Sequence, residues 1–237
     1  MKEIYFKDLG KNQDYQKTWD FQEELLEDNI QIKMRNRNRE KNGESDFEQT
    51  QNHLLFVEHP HVYTLGKSGH IENLLASQDF LSQIKATFVK TNRGGDITYH
   101  GPQQLVGYPI LDLDNFKPDI HLYMRNLEEV IIRTISDYGL KGERSKGETG
   151  VWLDVGKPFA RKICAMGVKA SRWVTMHGFA LNVNTDLKYF EYIIPCGITD
   201  KAVTSLEREL GKKVPMDEVK EKVKKYFAEV FEAEILE

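Results

Sequence analysis

Three strand-like runs, residues 150–153, 162–168 and 174–183, follow one another so closely that a sheet built from hairpins is the simplest way to pair them. The chain must therefore carry an antiparallel or mixed sheet. Residues 53–58 (HLLFVE) and 62–65 add two strands on either side of His59, Pro60 and His61, and residues 86–90 (ATFVK) add another. The first ten residues, MKEIYFKDLG, alternate apolar and charged side chains as a further strand would. Helical spacing appears in three places. Trp19, Phe21, Leu25, Leu26, Ile30 and Ile32 recur within residues 12–34, and the polar stretch 35–45 after them reads as an exposed loop. Ile120, Tyr123, Leu127, Val130, Ile131, Thr134 and Tyr138 fall on one stripe that stops at Gly139, which describes a helix facing a core and not a binding box. Val219, Val223, Phe227, Val230 and Phe231 give residues 217–235 the pattern of a terminal helix docked on the core. The expected fold is α/β (α+β), a sheet flanked by helices, in one domain spanning residues 1–237.

Composition narrows the class. With 40% hydrophobic and 30% charged residues among 237, the chain has a core to bury and is neither disordered nor a disulfide scaffold. A net charge of −4 argues against general nucleic-acid binding, which needs clustered Lys and Arg. No apolar run approaches the roughly 20 residues of a membrane helix, and the start lacks the continuous apolar core of a secretory signal. A cytosolic location and no membrane contact are expected. In that setting the two cysteines, Cys164 and Cys196, read as thiols.

Three segments can carry chemistry. Residues 93–109 (RGGDITYHGPQQLVGYP) pack Gly, Pro, His, Arg, Tyr and Gln between two strands. Paired glycines let backbone N–H groups approach a ligand, with Arg93 and His100 flanking it, although the same pair is also ordinary turn punctuation. The Walker and dinucleotide fingerprints are absent. In residues 161–183 (RKICAMGVKASRWVTMHGFALNV), Lys162, Cys164, Met166 and Val168 share one face of a strand. A lysine on an apolar face is suited to proton transfer, because desolvation favours the neutral amine; the alternative is a lysine that begins its strand at the surface. In residues 192–206 (YIIPCGITDKAVTSL), Cys196 lies between Pro195 and Gly197 in what reads as an exposed turn, where a nearby ammonium would stabilise its thiolate. Asp200 is placed to cap a helix starting near Lys201. Cys164, inside ICAM, fits the usual buried thiol. His59 and His61 lack a third ligand, and no metal site is expected. There is no GxSxG elbow.

Together these segments resemble the octanoyltransferase family of lipoate biosynthesis over nearly the whole chain. Arg93-Gly94-Gly95, Thr98-Tyr99-His100, Gln104 and Tyr108-Pro109 fit its signature, and EHPHVYTLG (58–66), TGVW (149–152), HGFALNV (177–183) and Pro195-Cys196-Gly197-Ile198 extend the match. The resemblance implies a larger mixed sheet flanked by helices with a smaller second sheet, like the catalytic domain of biotin and lipoate protein ligases. It implies that octanoyl-acyl carrier protein donates its chain to Cys196, with Lys162 as partner, and that the thioester is attacked by the target lysine of lipoyl domains of oxo-acid dehydrogenase complexes or glycine-cleavage H protein. Arg93, Gly94, Gly95, Asp96, Ile97, Thr98, Tyr99, His100, Ala165, Met166, Gly167, Gly178, Phe179 and Ala180 match segments lining the acyl site, with Met166 and Phe179 as apolar walls. No ATP, metal or other cofactor is expected, and the protein is expected to act as a monomer.

A lipoate protein ligase, which shares fold and lysine but activates free acid with ATP, is the nearest alternative; a silent binding module is a second. Cys196 discriminates against the first, and the Cys196–Lys162 pair against the second. Arg161, Lys169 or Arg172 would supply a basic rim for acidic protein partners. One departure stands out. Gln103 replaces the glycine usual between Pro102 and Gln104, which matters if that position needs positive φ.

Overall fold

The computed structural model describes residues 2–194 and 202–237. In chain order the elements are β1 (Lys2–Asp8), α1 (Tyr15–Lys41), β2 (His53–Val57), β3 (Val62–Leu65), α2 (Gln78–Gln83), β4 (Thr87–Lys90), β5 (Ile97–His100), β6 (Gln104–Ile110) and α3 (Ile120–Ser136). Then come β7 (Glu143–Ser145), β8 (Glu148–Leu153), β9 (Arg161–Ser171), β10 (Val174–Asn182), β11 (Ala202–Val203), α4 (Leu206–Leu210), α5 (Met216–Phe231) and β12 (Ala233–Leu236).

Among the described residues nine strands form a mixed sheet in the order β12-β1-β2-β6-β10-β9-β8-β7, with β11 paired to β9 off that path; β4-β3-β5 form a smaller sheet. The short links anticipated between residues 150 and 183 do produce antiparallel pairs, β8 with β9 and β9 with β10. Strands β2, β6 and β10 bury side chains on both faces of the large sheet. On one side Phe56, Leu105, Phe179 and Leu181 pack with Leu127, Val130 and Ile131 of α3 and Val223 and Phe227 of α5. On the other, Val57, Val106, Tyr108, Met176 and Ala180 pack with Leu26 and Ile30 of α1. The alternation of Leu105 and Val106, or of Phe179 and Ala180, between these two cores is the two-residue period of a strand. Side-chain caps set the helix starts: Asp14 accepts from Lys17 N–H, and Asp119 from the N–H groups of His121 and Leu122. No helix among the described residues is long and apolar enough to cross a membrane.

Three boundaries differ from expectation. Helix α1 runs through the polar stretch to Lys41, because Arg and Lys are good helix formers and because the chain beyond it folds back: Arg35 and Arg39 reach Glu48, and Asn36 exchanges two hydrogen bonds with the Glu48 backbone. The terminal helix stops at Phe231. Glu232 turns left-handed at φ 51°, and residues 233–236 become a strand paired in parallel with the N-terminal strand. Such a pairing joins the two ends of the chain, so no local pattern announces it. Finally, Asp200 lies outside the described residues, while Ala202 and Val203 form a strand where a helix was expected and the helix begins at Leu206, capped by Ser205.

Glu128 on α3 fixes this helix to the edge of the sheet. Its carboxylate is fully buried and accepts from Arg125, Arg144 and the backbone N–H of Gly150. Glu128→Ala strands the Gly150 N–H without its acceptor, and a loss of about 1–3 kcal/mol is expected in urea unfolding.

Candidate active site

A cavity of about 610 Å³ opens where the small sheet meets strands β6, β10 and β9. Its wall on the large sheet is a pair of matched segments, with Ala165 opposite Ala180, Met166 opposite Phe179 and Gly167 opposite Gly178. The loop of residues 93–96 closes over them. Gly94 donates its N–H to the carbonyl of Val168 at 2.9 Å, and a Cβ on Gly167 would stand 2.8 Å from the carbonyl oxygen of Gly94. Glycine at 167 is thus what allows the loop to dock. Arg93, 7% exposed, braces the loop from behind: its Nη2 donates to the carbonyl and hydroxyl oxygens of Thr64 on β3, and its Nη1 to the carbonyl of Gly94.

A buried polar path leads from this loop across both sheets. His100 on β5 bonds through Nδ1 to Oε1 of Gln104 at 2.9 Å. Gln104 donates its amide to the Tyr99 carbonyl and to Oδ1 of Asn182, and Asn182 donates to the Thr204 carbonyl. Since carbonyls only accept, both amides are oriented, and Nδ1 of His100 must be the donor. Thr204 in turn donates its N–H to the carbonyl of Lys162. Gln103, beside this path, does adopt positive φ, 63°. Its N–H donates to Glu58, its carbonyl accepts from Asn184 and Thr185, and its side-chain oxygen accepts from Asn184. Four hydrogen bonds hold a left-handed turn that glycine would adopt without strain.

Lys162 is half-buried on the cavity wall, its ammonium 4.6 Å from the centre of the Trp152 ring. A register shift between Val151 and Trp152 on the neighbouring strand separates it from its expected companion Cys164, which is fully buried in the core. Burial pushes the Cys164 thiol far above its ordinary value, so it does not compete as a nucleophile. Cys196 lies outside the described residues. The chain on either side of it is described: Ile194 donates its N–H to Asn73, whose side chain bonds Asp96, and Ala202 and Val203 pair with Arg161 and Lys162.

The cavity gathers Arg93, Gly94, Gly95, Asp96, Ile97, Thr98, His100, Lys162, Ala165, Met166, Gly167, Gly178, Phe179 and Ala180 along its lining. Tyr99 is the exception. Alternating with Thr98 and His100, it turns to the far side of the small sheet, bonds His61 and stacks on Tyr189. The basic rim is also different: Arg161 is held by Glu209 and Asp154, and Lys169 by Glu23, leaving Arg172 as the exposed cation of the three. Helix α3 does more than face the core, since Ile120 and Met124 in its first turns line the cavity. Gln104, Tyr108, Thr149 and His177 sat inside the sequence motifs without being singled out as site residues. Tyr15 and Phe190 carry no local mark at all. Among the described residues no three His, Cys, Asp or Glu side chains converge as a metal would need; His59 bonds Tyr108 while His61 faces Tyr99.

Three buried histidines ring this region as neutral groups. Burial lowers His59 to about 4 and His177 to about 3, the latter aided by Arg93 and Lys169, and burial with His59 and Arg93 beside it holds His100 well below its ordinary value. In the unfolded chain each regains a pKa near 6.5, so the unfolded state binds more protons below that pH. Stability is therefore fully present above pH 6.5 and is lost as pH falls toward about 4. Urea unfolding at pH 7 and pH 5 is expected to differ by roughly 2 kcal/mol for His59 and a similar amount for His177.

Residues 14–228 match the lipoyl protein ligase A/B catalytic domain family. The octanoyltransferase of Christiangramia forsetii is 63% identical over 235 residues, covering 99% of this chain and 98% of its own. That of Flavobacterium johnsoniae is 63% identical over 236 residues, covering 99% of each. Among solved structures, a bi-partite lipoate protein ligase from Thermoplasma acidophilum aligns with a TM-score of 0.66 at 16% identity, covering 100% of this chain and 86% of that one. A lipoate-protein ligase A bound with ATP gives 0.67 at 15%, covering 100% and 87%. At such low identity these two speak for the fold alone, the mixed large sheet with its smaller companion. Near-complete coverage at high identity goes further, and the chain belongs to the octanoyltransferase family of acyltransferases.

Proposed function

We propose that this chain, as one catalytic domain, moves an octanoyl group from octanoyl-acyl carrier protein to the target lysine of a lipoyl domain or glycine-cleavage H protein, through a thioester on Cys196. The observation that carries the reading is the placement of Lys162 on the wall of an apolar-sided cavity, hydrogen-bonded through its backbone to the strand that follows Cys196 in the chain. Strand β11 and residue Ile194 bring both flanks of Cys196 to this cavity: one beside Lys162, the other beside the loop that carries Asp96.

In the first step the Cys196 thiolate attacks the donor carbonyl, a new C–S bond forms, the bond to the carrier sulfur breaks, and Lys162 passes the cysteine's proton to the departing thiolate. In the second, the acceptor lysine amine attacks the acyl-cysteine, a C–N bond forms, the C–S bond breaks, and Lys162 carries the amine proton back to Cys196. Each thiol is regenerated and no external energy source is consumed, since the donor thioester supplies the driving force. Met166 and Phe179 give the chain an apolar bed, each buried CH₂ contributing about 0.8 kcal/mol.

Lys162→Ala is expected to lower octanoyl transfer to a purified lipoyl domain by about 10²-fold or more, the loss of a general acid–base group; near-normal transfer would remove lysine from the mechanism. Intact mass after incubation with octanoyl-acyl carrier protein, without ATP, tests the intermediate. An octanoyl adduct on the native protein, absent from Cys196→Ala and discharged by a lipoyl domain, is the expected result. Acylation of the lipoyl domain only on addition of ATP and free acid would make the protein a ligase instead.

A further inference from the structure

The cavity wall has a second layer that no lining residue reveals. Gly107 on β6, Phe179 on β10 and Met166 on β9 are direct cross-strand partners, so all three sit in one row on the same face of the sheet. Phe179 and Met166 line the cavity. Gly107 does not, because the Phe179 ring lies across it. A Cβ built on Gly107 would overlap the ring tip, with Cε2, the farthest of the three nearest ring atoms, at 2.8 Å. The ring is 2% exposed and meets Phe56 edge-on at 6.4 Å, with Leu105 and Leu181 in the same core. Phe179 is therefore laid back against the sheet only because residue 107 has no side chain.

We infer that Gly107 sets the length of acyl chain the cavity accepts, acting through Phe179, which rests on the reading of this cavity as the acyl site. A methyl at 107 must displace the ring. Phe56 and the packed core resist on one side, as interiors at crystal-like density do, and the open cavity receives it on the other. A ring swung outward takes the space of the far end of the chain. With glycine at 107 the bed is as deep as this sheet allows, and Phe179 is its floor. Gly107 is a positioning residue: it touches neither the chain nor the reacting atoms.

The test is a chain-length profile, read in two ways. Binding of free hexanoate, octanoate and decanoate by calorimetry reports the cavity itself, and transfer from the matching acyl-carrier proteins reports its use. Burying one CH₂ less weakens binding about fourfold, the equivalent of about 0.8 kcal/mol. Gly107→Ala is expected to lower the preference for octanoate over hexanoate by about 15-fold, two methylenes' worth, in both assays. Phe179→Leu is expected to extend acceptance to the ten-carbon chain, and Gly107→Ala with Phe179→Leu to restore the eight-carbon preference. A general loss of folding would lower all chain lengths alike and would not be rescued by shrinking residue 179. Unchanged ratios in folded Gly107→Ala, or a Phe179→Leu profile identical to the native one, would overturn the inference. A ratio shift in carboxylate binding with no transfer by the native protein would leave Gly107 its role and remove the proposed reaction.

Discussion

The docking of Gly94 onto strand β9 is the contact on which the rest of the site depends. The small sheet has its own core, built on Tyr63, Tyr99 and Ile97, and the large sheet has two. What joins them at the cavity is a hydrogen bond from Gly94 to Val168 at a point where Gly167 lacks a Cβ, with Arg93 clamped to Thr64 behind it. A side chain at 167 would lift the loop and open the cavity on the side where Asn73 links Asp96 to Ile194. The buried guanidinium is held because its two terminal nitrogens donate to oxygens of Gly94 and Thr64.

From that contact the polar path through His100, Gln104 and Asn182 reaches Thr204 and so the backbone of Lys162. Each link has a fixed direction, since the amides point their nitrogens at carbonyls. A path of this kind, fully satisfied in a low-dielectric interior, specifies one arrangement of the two sheets more sharply than apolar packing does. His100 remains neutral because burial, with His59 and Arg93 beside it, penalises a second proton, and the hydrogen bond to Gln104, which favours the charged ring, does not outweigh them. The same region holds Gln103 in a left-handed turn through Glu58, Asn184 and Thr185, so a residue unsuited to that conformation is compensated by its neighbours.

The chemistry and the fold are written in the chain in different ways. Period-two alternation and short links marked the hairpins at 150–183 because strand geometry is local, and the stripe from Ile120 to Thr134 marked α3 for the same reason. The long polar helix end at 35–41 has no local mark because its support, Glu48, approaches only after the chain reverses. The terminal strand has none either, because its partner β1 is more than two hundred residues away in the sequence. Tyr99 was placed in the site by its motif, yet alternation within β5 sends it to the far side, and register is what decides that.

The amino-acid sequence by itself determined the family motifs, the strand-rich middle, the amphipathic faces of α1, α3 and α5, and the presence of Lys162 on the same segment as Gly167 and Gly178. These are properties of residue type and spacing, and they survive without coordinates. Tertiary structure alone decided that Tyr15, Ile120 and Phe190, far apart in the chain, share the cavity wall. It also decided that Cys164 turns into the core while Lys162 does not, and that Gly107 carries the Phe179 ring. The physical reason is common to all of these. A side chain's neighbours across a sheet are fixed by register and strand order, and those are set by the packing of the whole molecule.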